Sequence, residues 1–257
     1  MFNLNLYKEK LSASIFGQSI QYYPKLDSTN TKAWELISKK TSNGTIIITD
    51  NQVKGRGRQS NKWSSTPSKS LTFSIILYPD TLPGQINIYS LITGLAITDC
   101  LIDFDIQAQL KWPNDILING KKASGILCES KTSGGIVQSM VIGIGLNINE
   151  DFTDFPETLH NIATSLMIES GMQFQLEVLL ANIINHLEHR IKSKETNSQL
   201  LDWEKRCTHL NQKVTFHTGN KIVTGIFKGL SSTGQAILKI NDEEIKFDSG
   251  EIVEIDD

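Results

Sequence analysis

Four short stretches of this chain combine residue types that can handle anions. "VKGRGRQSNKW" (53–63) sets Lys54, Arg56, Arg58 and Lys62 around Gly55 and Gly57. Glycines let backbone amides approach an anion closely, and arginines add forked donors that suit phosphate or carboxylate. "KWPNDI" (111–116) brings a cation, an aromatic ring and a carboxylate to a strand end, where Pro113 forces the chain out and leaves Asn114 and Asp115 in a turn. "KKASGIL" (121–127) puts Lys122 just upstream of Gly125, and a glycine inside a strand marks a bulge or the close approach of another group. "DSTN" (27–30) offers hydroxyls and an amide in what also reads as a helix cap. Singly, each stretch has an ordinary structural explanation as a solvated loop, a turn, an edge strand or a cap. Together, Arg56, Arg58, Lys111, Asp115 and Lys122 describe a site for a polyanion with one metal ion.

Other chemistries find less support. The five histidines, His160, His186, His189, His209 and His217, complete no H-E-x-x-H pattern and are expected at the surface, with no metal centre among them. There is no G-x-S-x-G elbow and no G-x-x-x-x-G-K-[ST] phosphate loop. "GIGLNIN" fails G-x-G-x-x-G because Ile148 stands where the third glycine belongs.

The elements that must position these stretches alternate along the chain. "STNTKAWELISKK" (28–40) and "QLEVLLANIINHLEHRIK" (175–192) are expected to form amphipathic helices, and "INIYSLITGLAITDCLI" (86–102), apolar at helical spacing, a core helix. "GTIIITD" (44–50), "SLTFSIILY" (70–78), "QAQLKW" (107–112) and "GIVQSMVIGIGLNIN" (135–149) read as strands. Asn119-Gly120 between two apolar segments predicts a hairpin. The result is an α+β class with a mixed, mostly antiparallel sheet and helices packed on it. Beyond about Cys207 the texture changes to five short β-branched runs with tight turns, which predicts a small SH3-like barrel. The expected organisation is therefore a catalytic domain at 1–207 and a barrel at 208–257.

The totals narrow the class further. The chain has 257 residues, 39% hydrophobic content and a formal net charge of -3, which suits a globular protein and argues against a nucleic-acid coat or membrane-surface protein. No uninterrupted apolar run reaches the ~18 residues of a membrane span. The N-terminus lacks signal-peptide order, and three cysteines form no C-x-x-C pair, so a reducing cytoplasm is expected.

In order and spacing, "STN", "GRGR…W", "KWPND…KKASGIL" and "GIGLNIN" resemble the biotin protein ligases, and "GIFKGLSSTGQAILKI" resembles their small terminal domain. The resemblance spans roughly residues 18 to 255. It implies a fold related to class II aminoacyl-tRNA synthetases and two reactions: biotin and ATP give biotinyl-5′-adenylate and pyrophosphate, and a lysine of a biotin carboxyl carrier protein then takes the biotin and releases AMP. It implies a biotin site at Ser28, Thr29, Asn30, Gln52, Gly55, Arg56, Lys122 and Gly125, with Thr29 and Gln52 on the ureido ring. It places Arg58, Trp63, Lys111, Asn114 and Asn147 on the nucleotide, Trp63 stacking on adenine. Lys122, Arg58 and Asp115 become the catalytic set. Asp115 faces Mg²⁺ or accepts the incoming lysine's proton, and Mg²⁺ helps offset the repulsion between carboxylate and triphosphate.

Two departures from the family pattern stand out. Gln59 and Asn61 replace arginines found in some members, and "STN" begins at residue 28, leaving no room for the N-terminal DNA-binding helix-turn-helix of some relatives. No DNA or membrane partner is expected, and a homodimer is an allowed assembly. The rival readings are a lipoate protein ligase, whose "RRxxGGG" signature is missing, and a non-catalytic binding module. The basic segment, rich in glycine and cations, is expected to be mobile without ligand, with Lys54, Arg56, Arg58 and Lys62 all open to trypsin.

Overall fold

A computed structural model describes residues 2–193, 195–219 and 221–256. The chain begins with α1 (Leu4–Lys10), capped by Asn3, then β1 (Ile20–Tyr23), α2 (Thr29–Ile37) and β2 (Ile46–Thr49). Two miniature strands, β3 (Gly55–Arg56) and β4 (Lys62–Trp63), follow, then β5 (Leu71–Leu77) and α3 (Ile86–Ile102). Next come β6 (Gln109–Lys111), β7 (Asp115–Ile118), β8 (Lys121–Ser133) and β9 (Ile136–Leu146). Three helices, α4 (Leu166–Ser170), α5 (Leu176–Lys192) and α6 (Thr196–Lys205), lead to β10 (Lys213–Thr218), β11 (Lys221–Leu230), β12 (Ala236–Ile240), β13 (Glu243–Phe247) and β14 (Glu251–Asp256).

Seven strands form one sheet in the order β1-β2-β5-β9-β8-β7-β6, parallel only between β1 and β2. Alternation along the strands divides the core between its faces. Ile46, Ile48, Phe73, Ile75, Ile142 and Ile144 pack with α3 and α5, whereas Ile47, Ile76 and Val141 pack under Ala33 and Leu36 of α2. A strand covered on both faces needs an unbroken apolar run, which "IIIT" provides. Together with the turn that precedes it, α3 is long and apolar enough to cross a bilayer by length and composition, although no uninterrupted apolar run announced it. Here it is a core helix, with Leu91, Leu95, Ile97 and Leu101 almost fully buried.

The Asn119-Gly120 turn is where the sequence placed it, with both residues at positive φ (49° and 77°). The tail folds as five antiparallel strands ordered β13-β12-β11-β10-β14, around Val214, Phe216, Phe227, Leu238 and Ile252. It is fixed to the rest of the chain from several sides. Trp112 donates from its indole to the Gly234 carbonyl (3.2 Å) and its ring lies 5.5 Å from that of Phe216. Glu204 accepts from the Leu230 amide (2.7 Å).

One expectation fails here. His209 is fully buried against Phe227, with ring centroids 4.3 Å apart, and burial beside the charge of Lys111 pushes its pKa down to about 3. It is a neutral core ring rather than a surface histidine. All three cysteines are free thiols.

The N-terminal segment is held by one carboxylate. Glu188 on α5 accepts from the backbone amides of Ser14 (2.9 Å), Ile15 (2.8 Å) and Phe16 (2.7 Å) and pairs with Lys192 at 2.6 Å. Burial alone would raise its pKa, but Lys192 and these amides outweigh burial and hold it at about 2. An unfolded glutamate titrates near ~4.3, so the stabilisation is complete above that pH and is lost as pH falls toward the folded value. With Lys192 open to solvent, the contribution is about 2 kcal/mol, less than the full shift would give. Glu188→Gln is expected to lower urea stability by that amount at pH 7, with a gap to wild type that narrows by pH 3. A gap of constant size across that range would refute the assignment.

Candidate functional site

Beyond the N-terminus of α2, three glycines thin out the side chains on the α2 face of the sheet. Register sets Thr72, Gly145, Gly125 and Asp115 in one row across β5, β9, β8 and β7, with Ser74, Gly143 and Leu127 in the row beside it. The glycines make room for other groups. A Cβ on Gly143 would fall 2.1 Å from Asn30 Oδ1, and one on Gly145 would fall 2.2 Å from Trp63 Cε2. On Gly125 it would meet both Trp63 Cζ3 and Lys122 Cε at 3.3 Å. The result is a glycine-floored trough roofed by the indole of Trp63.

The α2 end of the trough is a hydrogen-bonded network. Ser28 caps the helix by accepting from the Thr31 amide. Gln52 Oε1 accepts from the Thr29 amide (2.9 Å), and Ser74 Oγ lies 2.7 Å from Thr29 Oγ1 and 2.6 Å from Asn30 Oδ1. Glu129 accepts from Asn30 Nδ2 (2.9 Å) and the Trp34 indole (3.1 Å), and pairs with Arg56 at 3.1 Å. The charge of Arg56 is thus already compensated within the protein.

At the other end Lys122 Nζ sits 2.6 Å from Asp115 Oδ1. Strict alternation from Gly125 would turn Lys122 to the opposite face. Register instead slips here, pairing Ile116 with Ser124 and Leu117 with Lys122. The extra residue, Ala123, turns into the core, and Lys122 is re-aimed at the trough. Arg58 reaches the same region from the basic segment and donates to the Gly250 carbonyl (3.2 Å). Burial pulls its pKa down, against the opposing pull of the Asp115 and Glu251 charges. Lys111 and Asn114 complete this wall, Asn114 donating to the Ile126 carbonyl (2.8 Å).

Of the residues singled out from the sequence, Ser28, Thr29, Asn30, Gln52, Arg56, Arg58, Trp63, Lys111, Asn114, Asp115, Lys122 and Gly125 all line this one cleft. Gly55 and Asn147 do not. Gly55 packs under the Trp63 carbonyl in the β3–β4 hairpin, and Asn147 is buried and donates to the Thr164 carbonyl (2.9 Å). Sequence reasoning missed Thr72 and Gly143, and also Gly250, Glu251 and Ile252, by which the tail closes the cleft, as well as Ser74 and Glu129, which bond to Asn30 behind it. Thr72 Oγ1 and Trp63 Nε1, both at this floor, are buried without hydrogen-bond partners. The pair of glycines inside β9 was the available signal.

The basic segment departs from the open loop expected of it. Gly55–Arg56 pairs with Lys62–Trp63, Lys54 pairs with Asp27 (2.8 Å), and Arg58 is half-buried. The counter-charges that the segment lacks in its own sequence come from Asp27 and Glu129, and Trp63 supplies apolar surface. Trypsin therefore has Lys54, Arg56 and Lys62 to reach, with Arg58 shielded.

Comparison with known proteins bears on the same residues. Residues 22–147 match the model of the biotin/lipoate A/B protein ligase family, and residues 209–253 that of the biotin protein ligase C terminal domain. The chain is 33% identical over 247 residues to the bifunctional ligase/repressor BirA of Bacillus subtilis, covering 94% of this chain and 76% of that protein. It is 28% identical to the biotin–[acetyl-CoA-carboxylase] ligase of Mycobacterium tuberculosis, covering 82% and 79% of the two. Its fold superposes on the biotin protein ligase of Aquifex aeolicus in complex with biotin and ATP, with a TM-score of 0.79 at 28% identity, over 91% of this chain and 97% of the other.

Proposed function

Because the chain belongs to the biotin protein ligase family, we propose that it activates biotin with ATP and transfers it to a lysine of a biotin carboxyl carrier protein. The observation that carries this reading is the cleft itself. A polar end at Thr29 and Gln52 suits a ureido ring, the glycine floor lets Trp63 and Asn30 lie directly against the sheet as walls of the cleft, and Lys122 and Arg58 converge at the far end.

Two anions must meet in the first step, and their repulsion opposes it. Biotin's carboxylate oxygen attacks the α-phosphorus, and pyrophosphate leaves. Arg58, half-buried, acts on the phosphate side at higher effective strength than a fully exposed cation would. Lys122, aimed by its 2.6 Å contact with Asp115, lies toward the carbonyl oxygen of biotin. In the second step the carrier amine attacks that carbonyl and AMP departs. Lys122 again meets the developing negative charge, and Asp115 is the carboxylate placed to take the amine's proton. Trp63 covers the trough from the basic segment, and the 250–252 turn closes it from the tail. The division between the two parts of the chain is placed near residue 208.

Mg²⁺ fits this cleft as an ion brought in by the nucleotide. Among the described residues no three acidic, histidine or cysteine side chains cluster as a cage. In the first step Asp115, with Glu251 lining the same cleft, would supply the one or two carboxylates that Mg²⁺ takes alongside phosphate oxygens, which leaves Asp115 free for the amine once pyrophosphate has gone. Bound there, Mg²⁺ would neutralise triphosphate charge.

A biotin carboxyl carrier domain incubated with the protein, ATP, Mg²⁺ and biotin is expected to gain the mass of one biotin on one lysine, and no mass with lipoate in biotin's place. An unmodified carrier, or lipoylation in preference to biotinylation, would overturn the reading.

A further inference from the structure

We propose that Glu129, which touches none of the reacting groups, is the residue that sets the direction of the hydrogen bonds at the Thr29–Gln52 end of the cleft, and thereby fits that end to a cyclic urea. The inference rests on the biotin reading above and deepens it.

Direction follows from one group that has no choice. A carboxylate only accepts. Glu129 accepts from Asn30 at 2.9 Å, from Trp34 at 3.1 Å and from Arg56 at 3.1 Å. With the Asn30 amide reversed, its oxygen would face the carboxylate at the same distance, oxygen against oxygen. Nδ2 therefore points to Glu129 and Oδ1 points to Ser74. An amide oxygen cannot donate, so Ser74 gives its single proton to Asn30 across 2.6 Å. At the 2.7 Å contact between Ser74 Oγ and Thr29 Oγ1, the proton has to come from Thr29. The alternative acceptor for that proton, Gln52 Oε1, is farther away at 3.3 Å. Thr29 Oγ1 is left with a lone pair for the ligand. Gln52 Oε1 is committed to the Thr29 amide at 2.9 Å, which leaves Nε2 to donate.

The cleft end thus offers an acceptor beside a donor. A cyclic urea presents the complement, an N–H beside a carbonyl oxygen. Reversing the chain would set donor against donor and acceptor against acceptor, and leave buried groups unpaired. Glu129 lies on β8, far along the chain from Thr29, and acts on the ligand only through Asn30 and Ser74. It is a positioning residue that determines specificity.

The test is a swap. In Glu129→Gln the new side-chain amide can donate as well as accept, so Asn30 is free to turn. In Asn30→Asp two carboxylates face each other. Each single variant is expected to raise KM for biotin about tenfold or more in biotin-dependent ATP–pyrophosphate exchange, with KM for ATP and kcat at saturating biotin close to wild type. The same Glu129 oxygen also accepts from the Trp34 indole (3.1 Å), so the cycle is run in a Trp34→Phe background, where the amide introduced at position 129 of the double variant donates to the carboxylate introduced at position 30, whose other oxygen still accepts from Ser74. The order is rebuilt, and KM for biotin should return to within about twofold of that background. Arg56 has lost its charged partner in both Glu129→Gln and the double variant, so recovery in the latter isolates hydrogen-bond direction from loop charge. Thermal midpoints are read alongside, since a purely structural role would lower stability and kcat together and would not show a shift confined to biotin. Wild-type KM for biotin in Glu129→Gln, or a double variant as poor as the two singles combined, overturns the proposal. Failure of the parent reading is scored separately, on wild-type enzyme that turns over no biotin.

Discussion

Lys122→Ala is expected to slow both half-reactions by about 10²–10³-fold, the size seen when one preorganised donor to a developing oxyanion is removed. Only one amine serves the carbonyl carbon in both steps, so the two losses should be similar. The side chain is partly open to solvent (37% exposed), and its pair with Asp115 is worth about 1 kcal/mol or less to the fold. Unfolding midpoints should barely move, which separates a chemical loss from a structural one. Single-turnover adenylate formation, and transfer from adenylate supplied directly, measure the two steps apart. Near wild-type rates in either would remove Lys122 from that step. The aim of this amine depends on the slip at Ala123, which throws one side chain into the core and turns its neighbour outward. Deleting Ala123 should therefore resemble Lys122→Ala in activity while also costing stability.

Much of this was legible in the chain, and the part that was not has a common cause. α3 could be bounded at Ile86 and Ile102 because its pattern is long and ends in turn residues. The Asn119-Gly120 turn could be placed because its backbone angles demand those residues. Ser28, Thr29 and Lys122 stood out by residue type and spacing. Glu129 did not, because its importance comes from register, which sets β8 beside β9 and turns the carboxylate toward Asn30 and Arg56. His209 was misread for a similar reason: a lone histidine in a loop is polar in sequence, and only the packing of Phe227 and Trp203 around it makes it a core residue. The basic segment was misread on charge. Four cations in eleven residues repel one another, but Asp27 and Glu129, distant in sequence, relieve that repulsion. Local patterns fix elements and turns, whereas counter-charges and facing partners belong to the fold.

Arg58→Ala is expected to leave adenylate formation measurable but to release the adenylate early. Arg58 ties the basic segment to the tail through the Gly250 carbonyl (3.2 Å), and its half-buried charge looks toward Asp115 and Glu251. With an adenylate bound, the phosphate adds a partner of full negative charge, and the tie should tighten. A charge-assisted hydrogen bond of this kind is worth roughly 1.5–3 kcal/mol, so its loss corresponds to about 10- to 100-fold faster escape of the adenylate. The other cations of the segment are less well placed. Arg56 is held by Glu129 and Lys54 by Asp27, while Lys62 is exposed on the outer strand of the hairpin. An escaped mixed anhydride acylates whatever amine it meets, so a bystander protein mixed with the variant, ATP, Mg²⁺ and biotin should acquire biotin on many lysines, whereas wild type should label the carrier alone. The same tie predicts the protease pattern: bound biotin and ATP should deepen the protection of Arg58 while cleavage after Lys62 continues. If the variant retains its adenylate as wild type does, and Arg58 is cut equally with and without ligand, the segment is a fixed wall of the cleft and Arg58 does not hold it shut.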